Sequence, residues 1–257
     1  MSEKAPIGIN SPIESKKTPD YPREFFQMQV DFAKRVAEVS GIPLNQALLE
    51  YTNFYSRFKI GRKIDASNPV WQEFIASIND KDISEQVYDF YLKRKDVHLE
   101  KREKKKFGCF DCEYQPEEEC VYVHFGNREE NGSPLDNINL SKRLEELKHM
   151  FEYVKNNCPK AKVVKGSSWL YNLPKYRRFY PPEYTENPKP AMRHDAGLSN
   201  WGQFLDKDMQ IKSKESAVFK ERLASARTLD EICDSMPFKT LKVEAKVENF
   251  FRFYGIN

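Results

Sequence analysis

Three groups of residues in this chain of 257 have types and spacing suited to chemistry. The first is Cys109-x2-Cys112-x7-Cys120-x3-His124, three thiols and an imidazole, a ligand set that suits structural zinc. The local pattern works against a shared centre. A step of three residues puts Cys109 and Cys112 on opposite faces of a strand, whereas zinc knuckles hold such a pair in a tight turn. These residues therefore read as buried thiols, with no metal assigned.

The second group is Gly166-Ser167-Ser168, where a strand passing into a helix would expose a hydroxyl. The nucleophile-elbow pattern Gly-x-Ser-x-Gly is incomplete here, because Trp169 follows and no second glycine does. His194 beside Asp195 is an available base, yet nothing in the sequence pairs it with either serine. Ser168 reads better as the cap of the element that follows. The third group runs from Trp169 through Tyr171, Asn172, Tyr176, Arg177, Arg178, Phe179 and Tyr180 to Glu183. An arginine held by stacked rings offers a fixed fork to a phosphate or carboxylate. An arginine packed on rings at a domain junction explains the same residues, and the two readings stand level.

The elements around these groups fall into two halves. Residues 1–19, rich in Pro, Ser, Lys and Glu, read as a flexible tail. From 20 to 106 the apolar residues recur at helical spacing. Pro22 opens a helix that Ser40-Gly41 stops, and Pro43 opens a second that reaches Gly61. Asn68-Pro69 starts a third, and Asp82 or Ser84 a fourth. The aromatic stripe Tyr51, Phe54, Tyr55, Phe58 reads as core rather than as a ligand groove. The run from Lys93 to Lys106 holds eight basic and three acidic residues, and it reads as a solvated helix face.

From 107 to 257 the pattern changes to mixed α/β. FGCFDCEY and CVYVHFGN form a hairpin across QPEEE, followed by a helix from about Ser141 to Asn157. A strand over Ala161–Val164 then closes a crossover with its partner parallel. Leu198–Leu205 reads as a strand turned by Asp206-Lys207-Asp208, and Ser213–Arg227 as an exposed helix. TLKVEAKVE alternates as a half-buried strand, with the aromatic tail Phe250 to Tyr254 docking after it.

Composition excludes several classes. Apolar residues make up 39 % and aromatic residues 13 %, so a core exists and is built largely on rings. Forty-two basic against 39 acidic residues leave a net charge of +3, too balanced for a dedicated nucleic-acid binder. No apolar run approaches the roughly 20 residues of a membrane span. The polar N-terminus lacks a secretory apolar region, which points to a cytoplasmic protein with reduced thiols.

The run VYVHFG, then SPL, an amphipathic helix, a strand ending in Ser168-Trp169-Leu170, and Ser199-Asn200 before a Phe-bearing segment resembles the GNAT-like C-terminal domains of bacterial acyltransferases. The match covers about residues 120–205, and the chain as a whole resembles a bacterial family with no assigned activity. The elements read above make an α+β protein, a helical N-terminal region packed on a mixed sheet, and the resemblance implies that this sheet has a V-shaped opening where acyl-CoA binds. It places Gly126, Asn127, Gly132 and Ser133 at the pyrophosphate, and Ser168, Trp169, Asn172, Arg177 and Arg178 along the substrate cleft. Tyr171, Tyr180 and Glu183 become the expected acid–base residues for direct attack of a small amine on an acyl-CoA or carrier-bound thioester. The usual Gln/Arg-x-x-Gly-x-Gly/Ala phosphate loop is replaced here by GNREENGSPL. The competing expectation is a non-enzymatic interaction module using the aromatic and arginine surface at 169–184.

Overall fold

Pro22 and Gly41 bracket the first helix. In the computed structural model, which describes residues 20–257 except 62, 80–81, 99–103, 130–131 and 192–199, α1 spans Arg23–Ser40. Gly41 ends it at φ 72°, in the left-handed region where glycine carries no β-carbon penalty, with its N–H on the Ala37 carbonyl. The expected tail at 1–19, and His194 with Asp195, lie outside the described residues.

The stretch from Pro43 to Gly61 is two helices rather than one, α2 (Leu44–Tyr51) and α3 (Phe54–Arg57). The break comes from side chains competing for the backbone. Thr52 Oγ1 donates back to the Leu48 carbonyl, and the Asn53 N–H goes to Gln29 Oε1 on α1 at 2.9 Å. Asn68 accepts from the Val70 N–H at the start of α4 (Pro69–Ser77), and Asp82 accepts from the Glu85 N–H at the start of α5 (Ile83–Arg94). Of the basic run, the described residues are not one helix face: α5 ends at Arg94, and Lys105 and Lys106 belong to β1 (Lys105–Phe107), while 99–103 lie outside the described residues.

Gly108 at φ 55° turns β1 back into β2 (Phe110–Gln115), so FGCFDCEY is not one strand. The sheet continues with β3 (Cys120–Phe125), β4 (Val163–Ser168), β5 (Lys189–Pro190) and β6 (Leu241–Lys246) in the order β1-β2-β3-β4-β6-β5. The β3–β4 pair is parallel, with Cys120 opposite Val163, and the other pairs are antiparallel. Between them α6 (Leu140–Asn157) buries Leu147, Met150, Phe151 and Val154, one stripe at helical spacing, against the sheet. Gly166, Ser167 and Ser168 belong to β4 and form no turn. A 3₁₀ turn at Trp169–Asn172 then leads to α7 (Pro174–Arg177) and α8 (Pro182–Thr185).

Trp201–Phe204 is a 3₁₀ turn, not a strand, and Leu205 makes a single bridge to Ile211. The reason is burial on both sides of the backbone: Trp201, Gln203 and Phe204 are all buried, which alternation in a half-exposed strand forbids. After it come α9 (Ser213–Ser225), α10 (Leu229–Asp234) and, beyond β6, α11 (Val247–Tyr254).

Two cores result. One gathers the rings of α1 to α5 together with Trp201, Phe204, Phe219, Leu223, Ile232 and Met236. The other lies between the sheet, α6 and the segment from Tyr171 to Tyr184, closed by Phe250. The chain therefore leaves the helical core for the sheet, returns to it over 201–236, and ends in the sheet with β6. The protein is α+β, a helical region packed on a mixed six-stranded sheet. Among the described residues no helix is long and apolar enough to cross a membrane.

Candidate functional site

A cleft opens where the returning segment passes between the helical core and the β5–β6 edge of the sheet. It encloses about 210 Å³, many times the roughly 10–15 Å³ that one water-sized probe needs. Phe32 of α1, Tyr51 of α2, Trp201 and Met236 supply its apolar lining. Pro190, Ala191, Lys239 and Thr240 close the sheet side, and Asp230, Cys233 and Asp234 come from α10. Lys239 Nζ is 2.7 Å from Asp234 Oδ1, an exposed pair at the rim.

Trp201 is fully buried, edge-on to Phe32 (centroids 5.5 Å apart) and to Phe219 (5.8 Å). Its Nε1–H has no acceptor among the described residues. A buried donor left unmade costs about 1–3 kcal/mol, and in the same helical core the Asn53 carboxamide shares that state. Asn200, next to it, supplies a second donor through a chain of fixed orientations. The Phe238 N–H donates to Gln203 Oε1 at 2.9 Å, which makes Gln203 Nε2 the donor on the other side. Gln203 Nε2 reaches Asn200 Oδ1 at 3.2 Å, and Thr240 Oγ1 donates to the same oxygen at 2.9 Å. The Asn200 carboxamide oxygen is thereby engaged twice, and its N–H2 group has no partner among the described residues. Asn200 and Trp201, adjacent in sequence, thus both line the cleft beside its apolar residues.

Part of the segment singled out in the sequence buttresses this cleft from behind. Trp169 stacks on Phe238 (centroids 5.9 Å, planes 14° apart), and Asn172 Nδ2 donates to the Lys239 carbonyl at 2.8 Å. Ser168 Oγ accepts from the Leu170 N–H, the capping role expected of it. Arg178 ties down the loop before α6, with Nη1 on Asn137 Oδ1 at 2.6 Å and Nη2 on the Leu135 carbonyl at 2.9 Å. Arg177 is half-buried with its Nε unpartnered. Neither arginine lines the cleft.

The expected acid–base residues lie apart from the cleft, and Glu183 apart from the two phenols' cluster. Tyr171 and Tyr180 are buried in a cluster with Tyr176 and Tyr184: the Tyr171 and Tyr184 hydroxyls are 3.1 Å apart, and Tyr180 donates to Tyr176 at 2.8 Å. Burial raises both phenols well above their ordinary range, with the neighbouring phenols adding to the effect. Glu183 is at the surface, paired with Arg252 at 2.8 Å. The expected pyrophosphate residues are turned inward on their own loop. Gly126 N–H donates to the Cys109 carbonyl at 2.9 Å, Asn127 Oδ1 accepts from Glu129 N–H, and Ser133 N–H goes to Asp136 Oδ2 at 3.3 Å. Gly132 is left-handed at φ 77°. The Gly126 N–H is spent on the β1–β2 turn and that of Ser133 on its own loop.

The Cys/His set is divided. His124 Nε2 is 3.0 Å from Glu113 Oε2, Cys112 pairs with Cys158, and Cys109 stands beside Arg143. Burial raises the Cys109 and Cys120 thiols. Among the described residues no three His, Cys, Asp or Glu side chains assemble a metal site.

Asn200, Trp201, Cys233 and Thr240 escaped the sequence reading because they lie in three segments read as scaffolding. The one local signal was Asn-Trp-Gly-Gln at 200–203, a turn composition rather than a strand's. Compared with protein-family models, with curated proteins and with solved structures, the chain matches none, so its function is argued from the site itself.

Proposed function

We propose that the protein binds the acyl end of a small molecule in this cleft and is acyltransferase-like, with an acyl-CoA or carrier-bound thioester as donor and a small amine as acceptor. The observation that carries the reading is the buried Trp201 N–H without an acceptor. A ligand oxygen placed there satisfies it, and the Asn200 N–H2 group offers a second bond to the same oxygen. Asp230 and Asp234 share the lining, so a carboxylate ligand would meet like charge. A neutral carbonyl meets none, and its apolar tail suits Phe32, Tyr51 and Met236. Two fixed donors at a carbonyl oxygen are also what stabilises the oxyanion formed when a thioester is attacked.

Thermal unfolding with acetyl-CoA and with a short unreactive amide analogue tests this reading. Both should raise the melting temperature in a concentration-dependent way, and Trp201→Phe, which keeps a six-membered aromatic ring but removes the pyrrole and its N–H, should abolish the rise. No stabilisation at millimolar analogue, or a rise undiminished in Trp201→Phe, would sink the proposal.

A further inference from the structure

We propose that Cys112 and Cys158 form a reversible disulfide, a redox-sensitive clamp between β2 and the end of α6; the proposal is independent of the cleft. Cys112 belongs to the motif Cys109 to His124, yet its partner lies outside that motif. On β2 it shares the face of Phe110 and Tyr114 that packs under α6, and its S–H donates to Cys158 Sγ. Cys158 is the residue that ends α6. A second contact holds the two segments together: the Lys160 N–H donates to the Tyr114 hydroxyl at 3.2 Å. Tyr114 stands two residues beyond Cys112 and Lys160 two residues beyond Cys158, so the bond lies beside the two sulfurs. The other thiols face different groups. Cys109 stands beside Arg143, Cys120 Sγ is 3.7 Å from Glu118 Oε2, and Cys233 lies in the cleft.

The two residues are held differently. Cys112 is fixed within the sheet, opposite Lys105 of β1 and Val123 of β3. Cys158 is buried, but Asn156, Asn157, Pro159 and Lys160 around it are exposed, so opening the last turn of α6 uncovers its sulfur. The hydrogen bond from Cys112 holds the Cys158 thiol below its ordinary value against the effect of burial, while the same bond and burial push Cys112 up. Cys158 is therefore the attacking sulfur. The step is thiol–disulfide exchange with a small organic disulfide. Cys158 Sγ attacks one sulfur of that disulfide, and the first small thiolate leaves and takes up the Cys158 proton. Cys112 Sγ then attacks Cys158 Sγ, and the second small thiolate leaves with the Cys112 proton. The two protein thiols lose two electrons in all, and the small disulfide is reduced to two thiols. The new bond closes the loop that carries β3 and α6, which restricts the unfolded chain and ties the crossover to β2.

The experiment exposes the reduced full chain to glutathione disulfide, quenches it in acid, labels the remaining thiols in denaturant and maps the peptides. The expected result is one bond joining Cys112 to Cys158, with Cys109 and Cys120 still labelled. The melting temperature should rise by about 5 °C or more, and dithiothreitol should reverse both changes. Cys158→Ser should neither form the bond nor gain the stability on oxidation. A melting transition for that variant in the reduced state shows that its fold is kept, and Cys158→Ala takes its place if the serine hydroxyl unfolds the core. Cys112 and Cys158 labelled separately after exposure, a bond formed no faster than in the urea-unfolded chain, or an oxidised chain that melts no higher than the reduced one would overturn the proposal.

Discussion

The backbone of Gly166 lies directly against the phenol of Tyr171. A β-carbon at Gly166 would overlap the hydroxyl oxygens of both Tyr171 and Tyr184, which are hydrogen-bonded to each other at 3.1 Å. Gly166 sits inside β4, where glycine has no conformational advantage, so close approach is its reason for being there. Gly166→Ala should therefore destabilise the protein by about 3 kcal/mol, the upper range for overpacking a buried site. A urea midpoint lowered at unchanged slope would be the signature. A variant as stable as the parent would mean that the two phenols move aside freely.

The same pair predicts a coupling. Tyr171→Phe or Tyr184→Phe alone leaves the partner hydroxyl buried without its hydrogen bond, at a cost of about 1–2 kcal/mol each. Changing both removes two polar groups from an apolar site, so the double variant should cost clearly less than the sum. Equal and additive losses would show that the hydroxyls are satisfied independently.

Alkaline pH should act through this cluster. Burial is the main cause that raises Tyr171, Tyr176, Tyr180 and Tyr254 well above the ordinary value of 10.0. Each group binds its proton more tightly folded than unfolded. The stability they contribute is whole below pH 10 and is lost as pH rises above it, because only the unfolded chain ionises there. Tyrosinate absorbance of these buried phenols should accordingly appear together with the loss of tertiary structure. A gradual titration completed in the folded protein would contradict the burial.

Gln203 holds both walls of the cleft, accepting from Phe238 N–H at 2.9 Å and donating to the Asn200 carbonyl at 2.9 Å. Gln203→Leu keeps the bulk but strands the Phe238 N–H and releases the Asn200 carboxamide. A loss of about 2–3 kcal/mol follows from the buried groups left unpaired, with ligand stabilisation reduced further than in a variant of equal stability elsewhere. Trp201→Phe behaves in the opposite way. It strands no polar group, so its stability cost is that of the cavity left by the smaller ring, about 1–3 kcal/mol, while ligand stabilisation disappears. Measuring both variants by melting temperature, with and without the amide analogue, separates support of the site from contact with the ligand.

The local rules of the chain wrote much of the fold into the sequence. Gly41 and Asn68-Pro69 mark helix ends through φ and capping, requirements satisfied within four residues. The alternation of Leu241 to Lys246 and the helical stripe of α6 likewise name their buried faces without reference to partners. Those signals gave the α+β class and the parallel crossover between β3 and β4. They misread Trp201–Phe204 and Gly166–Ser168, where the deciding contacts are distant. Trp201 turns into the helical core because Phe32 and Phe219 surround it, and Gly166 stays extended because β6 pairs along it. The cleft is the extreme case. Phe32, Asn200, Cys233 and Thr240 come from both ends of the chain, and no local periodicity links residues so far apart. Only the return of the 201–236 segment to the helical core, driven by burying its rings, brings them to one place.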